Sequence, residues 1–366
     1  MTARLRHLFE PLEMGALTLP NRICMAPMIR YRCGPDGTAN ALVAEHFVQR
    51  ATAGLIVCES GYVHRSGRLA LEAGGIVTPT QITSWRAVTD AVHAAGGRIF
   101  MQLMHCGRIS HPSLQPDGGP AWAPSAVQPA NDQVRTGPAT YEPTPPPREI
   151  TTTEIGALVE SYAAATANAH AAGFDGVELH AANGYLPHQF LATGTNRRTD
   201  RYGGSIANRC RFVLEALEAM VAVRGPQFVG VKVSPVTTHH DTHDEDPLAT
   251  YGHLIPALDG FPGLAYLTVQ TTMNFVQPEP PPFDVFLHAR GLYRGTMFVA
   301  GNLDRWSGEG ALAGGVGDAA VYGRRFVANP DLVERFRRGA QEAVMDWSHA
   351  VTPGRAGYND YPALPA

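Results

Sequence analysis

Residues 176–190 read GVELHAANGYLPHQF. An apolar run climbs to Leu179 and gives way at once to His180, Asn183 and Tyr185, two donors and a phenol within six residues. That abrupt change is one unit of a recurring pattern. ICMAPMI (23–29), LIVCESG (55–61) and RIFMQLM (98–104) precede it; FVGVKVSP (228–235), AYLTVQTT (265–272), MFVAGN (297–302) and AAVYG (319–323) follow. Near-continuous Val, Ile and Leu without alternation marks a strand covered on both faces. Helix-period segments lie between most of these runs. ALVESYAAATANAHAAG takes Thr153 as its cap and Gly173 as its stop, and NRCRFVLEALEAMVAVRG runs from about Asn208 to Gly225. Eight β units alternating with α units predict an α/β chain closed as a (β/α)8 TIM barrel, not an open doubly wound sheet. Segment 111–150, rich in Pro, Gly and Thr, breaks the alternation and is too long for an ordinary loop; it reads as an excursion, a hairpin lid over the barrel. Without a linker or composition shift, residues 1–366 read as a single domain.

Composition narrows the function. The 366 residues are 44% hydrophobic and 17% charged, with a formal charge of −4, so the chain lacks the concentrated basic patch that nucleic acid or an anionic membrane requires. The opening MTARLRHLFEPLEMG has no long apolar core, and no window reaches the length of a membrane span. Five scattered cysteines (Cys24, Cys33, Cys58, Cys106, Cys210) without a CxxC pair fit thiols in a reducing compartment, not a disulfide framework or a metal cluster. The expectation is a cytoplasmic enzyme, monomer or homodimer, acting on a small molecule.

In such a barrel the active site gathers at the carboxyl ends of the strands. Those ends carry Gln102, His180, Asn183, Lys232, Gly301–Asn302 and Gly323–Arg324. Donors dominate. The carboxylate pair of a glycosidase and the nucleophile elbow of a serine hydrolase are both missing. Ala-Gly-Asn and Tyr-Gly-Arg-Arg at the last two ends suit a phosphate, because glycine lets backbone N–H groups approach and arginine adds charge-assisted bonds. GEGALA (308–313) loosely matches a dinucleotide fingerprint but does not follow a strand directly, so it is set aside. TTHHDTHDEDP (237–247) is read as a solvated loop in preference to a metal site, with one of His239, His240 or His243 in reach of a substrate.

Longer stretches resemble the Old Yellow Enzyme family of FMN-dependent ene-reductases. They are LFEPLEMGALTLPNRICMAPMIRYR near the start, QLMHCGRISH (102–111), GVELHAANGYLPHQFLATGTNRRTDRYGGSIANR (176–209), YGRRFVANPDLVERF (322–336) and GYNDYP (357–362). The resemblance spans nearly the whole chain in the family's order. It implies non-covalent FMN, reduction of the flavin by NADPH or NADH, and reduction of an activated C=C bond in a ping-pong exchange. It also implies that His180 and Asn183 bind the substrate's carbonyl or nitro oxygen and that Tyr185 delivers a proton to the α-carbon from the opposite face. Ala26, Pro27, Met28 and Ile29 would follow the flavin's edge, Gln102 and Lys232 its pyrimidine end, with His180 also beside it. Arg324, Ala300, Gly301, Asn302, Tyr322 and Gly323 would form or flank the phosphate site. Met104 would line the substrate pocket with Asn183 and Tyr185. No metal is implied.

Three positions depart from the family's pattern. Ile29 stands where a Thr or Cys usually donates to the flavin C4 carbonyl. Lys232 replaces an arginine, keeping the charge and losing the planar fork. Met104 replaces a bulky aromatic, commonly Trp, which points to a larger or differently shaped substrate. Two alternatives stand beside the ene-reductase reading: a dedicated biosynthetic flavin dehydrogenase or desaturase on the same scaffold, and a flavin-free barrel lyase. The Ile29 reading is directly testable. A missing donor leaves the electron-rich reduced flavin less stabilised, so potentiometry of Ile29→Thr is expected to give a higher flavin potential than the unmodified protein; an equal or lower value contradicts the assignment.

Overall fold

The computed structural model describes residues 5–271 and 281–365. Eight parallel strands close into a barrel. They are β1 (Ile23–Met25), β2 (Ile56–Tyr62), β3 (Ile99–Met104), β4 (Gly176–Ala181), β5 (Val229–Val233), β6 (Tyr266–Gln270), β7 (Met297–Ala300) and β8 (Ala319–Tyr322). Each pairs with the next, and β8 returns to β1 through Ala320↔Ile23 and Tyr322↔Met25. All eight quoted runs contain a strand; Thr272, the last residue of the sixth run, lies outside the described residues. Every strand residue is buried, which is why the runs show no polar alternation.

The helices are α1 (Ala41–Val48), α2 (Pro79–Ala94), α3 (Thr152–Ala171), the short α4 (Leu186–Leu191), α5 (Ile206–Arg224), α6 (Pro247–Ala257), α7 (Val285–Leu292), α8 (Arg305–Ala313), α9 (Arg324–Ala328) and α10 (Leu332–Arg338). Two starts differ from the sequence reading. Thr151, not Thr153, caps α3, because only Thr151 has a glutamate at the third place after it; Glu154 N–H donates to its hydroxyl and the Glu154 carboxylate accepts from Thr151 N–H. Ser205 caps α5, which therefore begins at Ile206, two residues before Asn208. GEGALA lies inside α8, away from any strand-to-helix turn.

Two apolar layers hold the barrel. The larger fills the space between strands and helices, around Trp85, Phe212, Phe190 and Leu254. The smaller fills the barrel itself, where Phe100, Tyr266 and Phe298 pack together and Tyr266 stacks on Phe298 at 4.4 Å. Neighbouring strands must give way to these rings. A Cβ at Gly176 would sit 2.3 Å from the Phe100 ring and one at Gly230 2.4 Å from the Tyr266 ring, so both positions are held to glycine. Below them the hairpin Leu12–Met14/Leu17–Leu19 packs on this inner cluster.

The other end stays open to function, roofed by two segments. Within 111–150 an antiparallel hairpin pairs Gln133–Gly137 with Thr140–Pro143, as the lid reading expected. Its neck is pinned by Arg198, from NRRTDRYGGS, whose guanidinium donates to the carbonyls of Pro124 (3.0 Å) and Ile150 (2.6 Å). The segment after α10 forms the second roof. Arg30 donates to Ala350 O at 2.7 Å and Gly357 O at 2.8 Å, and buried Tyr358 of GYNDYP stacks on His46 at 3.9 Å. Arg135 of the hairpin donates to Val351 O at 2.8 Å, joining the two roofs. No helix of the described residues is long and apolar enough to cross a membrane, and all five cysteines are buried thiols.

Candidate active site

The barrel interior changes character along its axis. Above the aromatic base, inward positions turn polar: Gln102 on β3, Glu178 and His180 on β4, Lys232 on β5 and Thr268 on β6. Register places them side by side, with Gln102 opposite Glu178, His180 opposite Lys232, and Lys232 opposite Thr268. The Gln102 amide donates to Glu178 Oε1 at 2.7 Å and accepts from the Ser60 hydroxyl of β2. Thr268 Oγ1 donates to Glu178 Oε2 at 3.2 Å. Burial raises the Glu178 carboxyl above its usual value while the Lys232 charge works against the rise. Burial likewise lowers the Lys232 ammonium, opposed by Glu178. Each charge therefore offsets part of the burial that works against the other.

At the rim the chain turns through residues 182–185 after β4. Asn183 adopts φ 56°, a left-handed backbone uncommon outside glycine though tolerated by asparagine. Its N–H donates to Ser234 Oγ at 2.8 Å, and its Oδ1 accepts from Gln270 Nε2 at 2.8 Å. The amide oxygen is thus engaged and the NH2 turns elsewhere. His180 is 3% exposed, and its Nδ1 is buried without a hydrogen-bond partner. Burial, reinforced by the Lys232 charge, keeps its pKa well below 6.5, so the imidazole is neutral at physiological pH. Tyr185 packs edge-on to His180 at 5.2 Å. The apolar wall around it pushes its hydroxyl well above 10, and it stays protonated.

These groups open onto one continuous trough. A cavity of about 300 Å³ is lined by Pro27, Met28, Ile29, Tyr31, Ser60, Leu69, Gln102, His180, Asn183 and Tyr185, with Trp347 and Val351 of the roof. It shares Pro27, Met28, Asn183 and Arg324 with a second of about 150 Å³, lined also by Ala26, Lys232, Gln270, Ala300, Gly301, Asn302 and Gly323. That one shares Gly301, Asn302, Gly323 and Arg324 with a third of about 440 Å³ at the far end. Gly301 has φ 153°, and a Cβ there would meet Thr271 Cγ2 at 2.4 Å, so the backbone at the end of β7 stays bare. Arg324 reaches across to Asn302 Oδ1. The trough is apolar with convergent donors at one end and glycine and arginine at the other, a shape and chemistry suited to a flat ring carrying a phosphate tail.

Of the sequence-predicted residues, two do not line the trough. Met104, 1% exposed, packs behind the wall with Leu69, Ile29, Tyr31 and Tyr185. It shapes the cavity from the rear. Tyr322 points outward between β8 and the helices, edge-on to Phe336 at 5.3 Å. Only its carbonyl serves the site, accepting from Ala26 N–H at 3.0 Å. Sequence reasoning passed over Ser60 and Gln270, although both close apolar runs, and it had no signal for Trp347 or Val351, which arrive from far along the chain. In the His-rich loop only His239 lines the trough. The neighbouring acids are spent internally: Asp244 accepts from Thr193 N–H at 3.1 Å and Asp246 caps α6. Among the described residues no group of three or more His, Cys, Asp or Glu is arranged to hold a metal ion.

The chain is similar to known proteins along nearly its whole length. The profile of the NADH:flavin oxidoreductase / NADH oxidase family matches residues 7–343. A Leishmania infantum protein described as a probable flavin mononucleotide-dependent alkene reductase is 39% identical over 362 residues, covering 98% of this chain and 97% of its own. 12-Oxophytodienoate reductase 7 of Oryza sativa subsp. japonica is 38% identical over 374 residues, with 98% and 94% covered. Among solved structures, morphinone reductase in complex with tetrahydroNAD superposes with a TM-score of 0.92 at 43% identity, covering 98% of both chains. The old yellow enzyme homologue from Zymomonas mobilis gives 0.93 at 34%, with 98% and 99% covered.

The buried network is expected to be indispensable to stability. Glu178→Leu would strand Gln102 Nε2, Thr268 Oγ1 and the Lys232 charge together, and a loss of about 3–5 kcal/mol in urea unfolding is expected. Adding Lys232→Met in the same chain should recover part of it. A loss under about 1 kcal/mol would show that the pair does not carry the load assigned to it.

Proposed function

The chain belongs to the NADH:flavin oxidoreductase / NADH oxidase family, the Old Yellow Enzyme family, and from that membership we propose that it reduces the C=C bond of an α,β-unsaturated carbonyl compound or a close electronic equivalent. The coarser activity follows from the family: an FMN-dependent alkene reductase drawing on NADH or NADPH. Bound FMN supplies the hydride that it has taken from the nicotinamide. The flavin-free lyase reading falls with that membership.

The residues of the trough fit the cofactor. Ala26, Pro27, Met28, Ile29, Gln102 and Lys232 would hold the ring system. Arg324, Asn302 and the backbone of Ala300, Gly301 and Gly323 would hold the phosphate. His180 and Asn183 then face the substrate oxygen as a pair of donors. Negative charge grows on that oxygen during reduction, and donors fixed beforehand at a dry wall stabilise it by about 3 kcal/mol each. Neutral His180 offers an N–H without placing a second full charge beside Lys232. Asn183 offers its NH2 because Gln270 occupies its oxygen. Tyr185, protonated across the working pH range, gives its proton to the α-carbon. The same wall of His180, Asn183 and Tyr185 would face both reactants above the ring, so nicotinamide and alkene would take their turns there.

The observation that carries this reading is the convergence of His180, Asn183 and Tyr185 on one cavity wall. Stopped-flow absorbance tests it. Tyr185→Phe should bleach with NADPH at a rate near that of the unmodified enzyme. Reoxidation by 2-cyclohexenone should slow by about a hundredfold. Equal reoxidation rates in the two proteins would remove Tyr185 from the role.

A further inference from the structure

The loop after β5 places an acid–imidazole pair against the proposed proton donor. His240 Nδ1 meets Asp132 Oδ2 at 2.6 Å, and the His240 ring lies 5.3 Å from the Tyr185 ring. The hydrogen bond and charge of His240 hold the Asp132 carboxyl below its usual value against the opposing effect of burial. The remaining imidazole nitrogen, Nε2, is buried with no hydrogen-bond partner. Considerable structure is committed to this arrangement. His240 and Asp241 both take left-handed backbone, φ 58° and 52°. Arg108 holds them there, donating to His240 O at 2.8 Å and Asp241 O at 2.7 Å, and Asp241 accepts from Ala130 N–H of the excursion at 3.0 Å. The turn before Tyr185 is cut to fit, for a Cβ on Gly184 would sit 2.6 Å from His239 O and 2.9 Å from His240 Cβ.

The pair also touches solvent. The side chains of His240 and Asp132 are 11% and 16% exposed. Tyr185 needs a route to solvent. Each turnover in the proposed mechanism leaves it as a phenolate among apolar neighbours, and a new proton must reach it before the next.

We propose that Asp132 and His240 form the proton-return pair of Tyr185, a role that rests on the reading of Tyr185 as proton donor. The Tyr185 O–H bond breaks as the new C–H bond forms at the α-carbon. His240 then gives its Nε2 proton to the phenolate, with its Nδ1 held against the Asp132 carboxylate. A proton from solvent, entering along the partly exposed edge of the pair, restores the one lost from His240, and no electrons move. No hydrogen bond joins the two side chains in the structure, so a bridging water or a small rotation of the ring completes the path. The charged and titratable groups facing His240 are Asp132 from the excursion, Tyr185 and His180 from the β4 turn, His239 and Asp241 from its own loop, and Arg108 through its carbonyl. His240 and Asp132 act through Tyr185 and are positioning residues.

The test uses FMN-loaded His240→Ala, Asp132→Asn and Tyr185→Phe proteins with NADPH and 2-cyclohexenone. His240→Ala should keep flavin bleaching and single-turnover reoxidation within about twofold of the unmodified enzyme, while steady-state turnover falls by about tenfold and its solvent deuterium isotope effect rises. Added imidazole should restore turnover, which a purely structural lesion would not allow. Asp132→Asn should show the same pattern in weaker form. In a Tyr185→Phe background His240→Ala should change nothing further. Unchanged turnover in His240→Ala, or a loss that imidazole does not rescue, overturns the pair's role and leaves Tyr185 standing. Unimpaired reoxidation in Tyr185→Phe instead removes the donor on which the pair depends.

Discussion

Closing eight parallel strands into a barrel forces all their carboxyl ends onto one face, and the interior has to be filled before anything can be built there. This chain fills it in a gradient. Phe100, Tyr266 and Phe298 pack the base, with glycine at 176 and 230 because no side chain fits beside the rings. The next inward positions hold Gln102, Glu178 and Thr268, joined by hydrogen bonds to the Glu178 carboxylate, with Lys232 beside them on β5. The rim holds His180 and, just beyond it, Asn183 and Tyr185. A polar layer on an apolar floor is expensive unless its members satisfy one another, and here the hydrogen bonds of Gln102 and the mutual charges of Glu178 and Lys232 meet that demand.

The same burial sets the chemistry at the rim. A histidine beside a buried lysine is kept neutral, and its Nδ1 is left without a partner. A phenol in an apolar wall keeps its proton. An asparagine whose oxygen is already taken by Gln270 has only its NH2 to present. None of these states requires a metal or a nucleophile. They result from low dielectric, one buried cation and one amide contact. The roofs above them, the hairpin and the segment holding Trp347 and Val351, come from distant parts of the chain and are tied to each other by Arg135.

How much of this was legible depended on distance along the chain. The barrel could be read because a strand buried on both faces leaves an uninterrupted apolar run, and all eight runs proved to hold strands. Rim residues could be read because they end those runs, and the family's motifs raised His180, Asn183 and Tyr185 above the rest. Helix starts were less certain. Three consecutive threonines offer equal hydroxyls, and only the glutamate three places on singles out Thr151. Met104 and Tyr322 show what periodicity alone does not give, since a side chain at a strand's end can face the trough, its rear wall or the helix layer. Trp347, Val351 and the Asp132–His240 contact depend on chain returns of roughly a hundred residues or more, for which local patterning carries no signal.

In the proposed mechanism the flavin would lie on one side of the alkene and Tyr185 on the other, with His180 and Asn183 gripping the oxygen between them. Stereochemistry reads that geometry directly. A prochiral cyclic enone reduced with deuterium-labelled NADPH in water, and with unlabelled NADPH in deuterium oxide, locates each new hydrogen by NMR. The account predicts reductant-derived label at the β-carbon, solvent-derived label at the α-carbon, and the two on opposite faces of the ring. Delivery of both to the same face would contradict it.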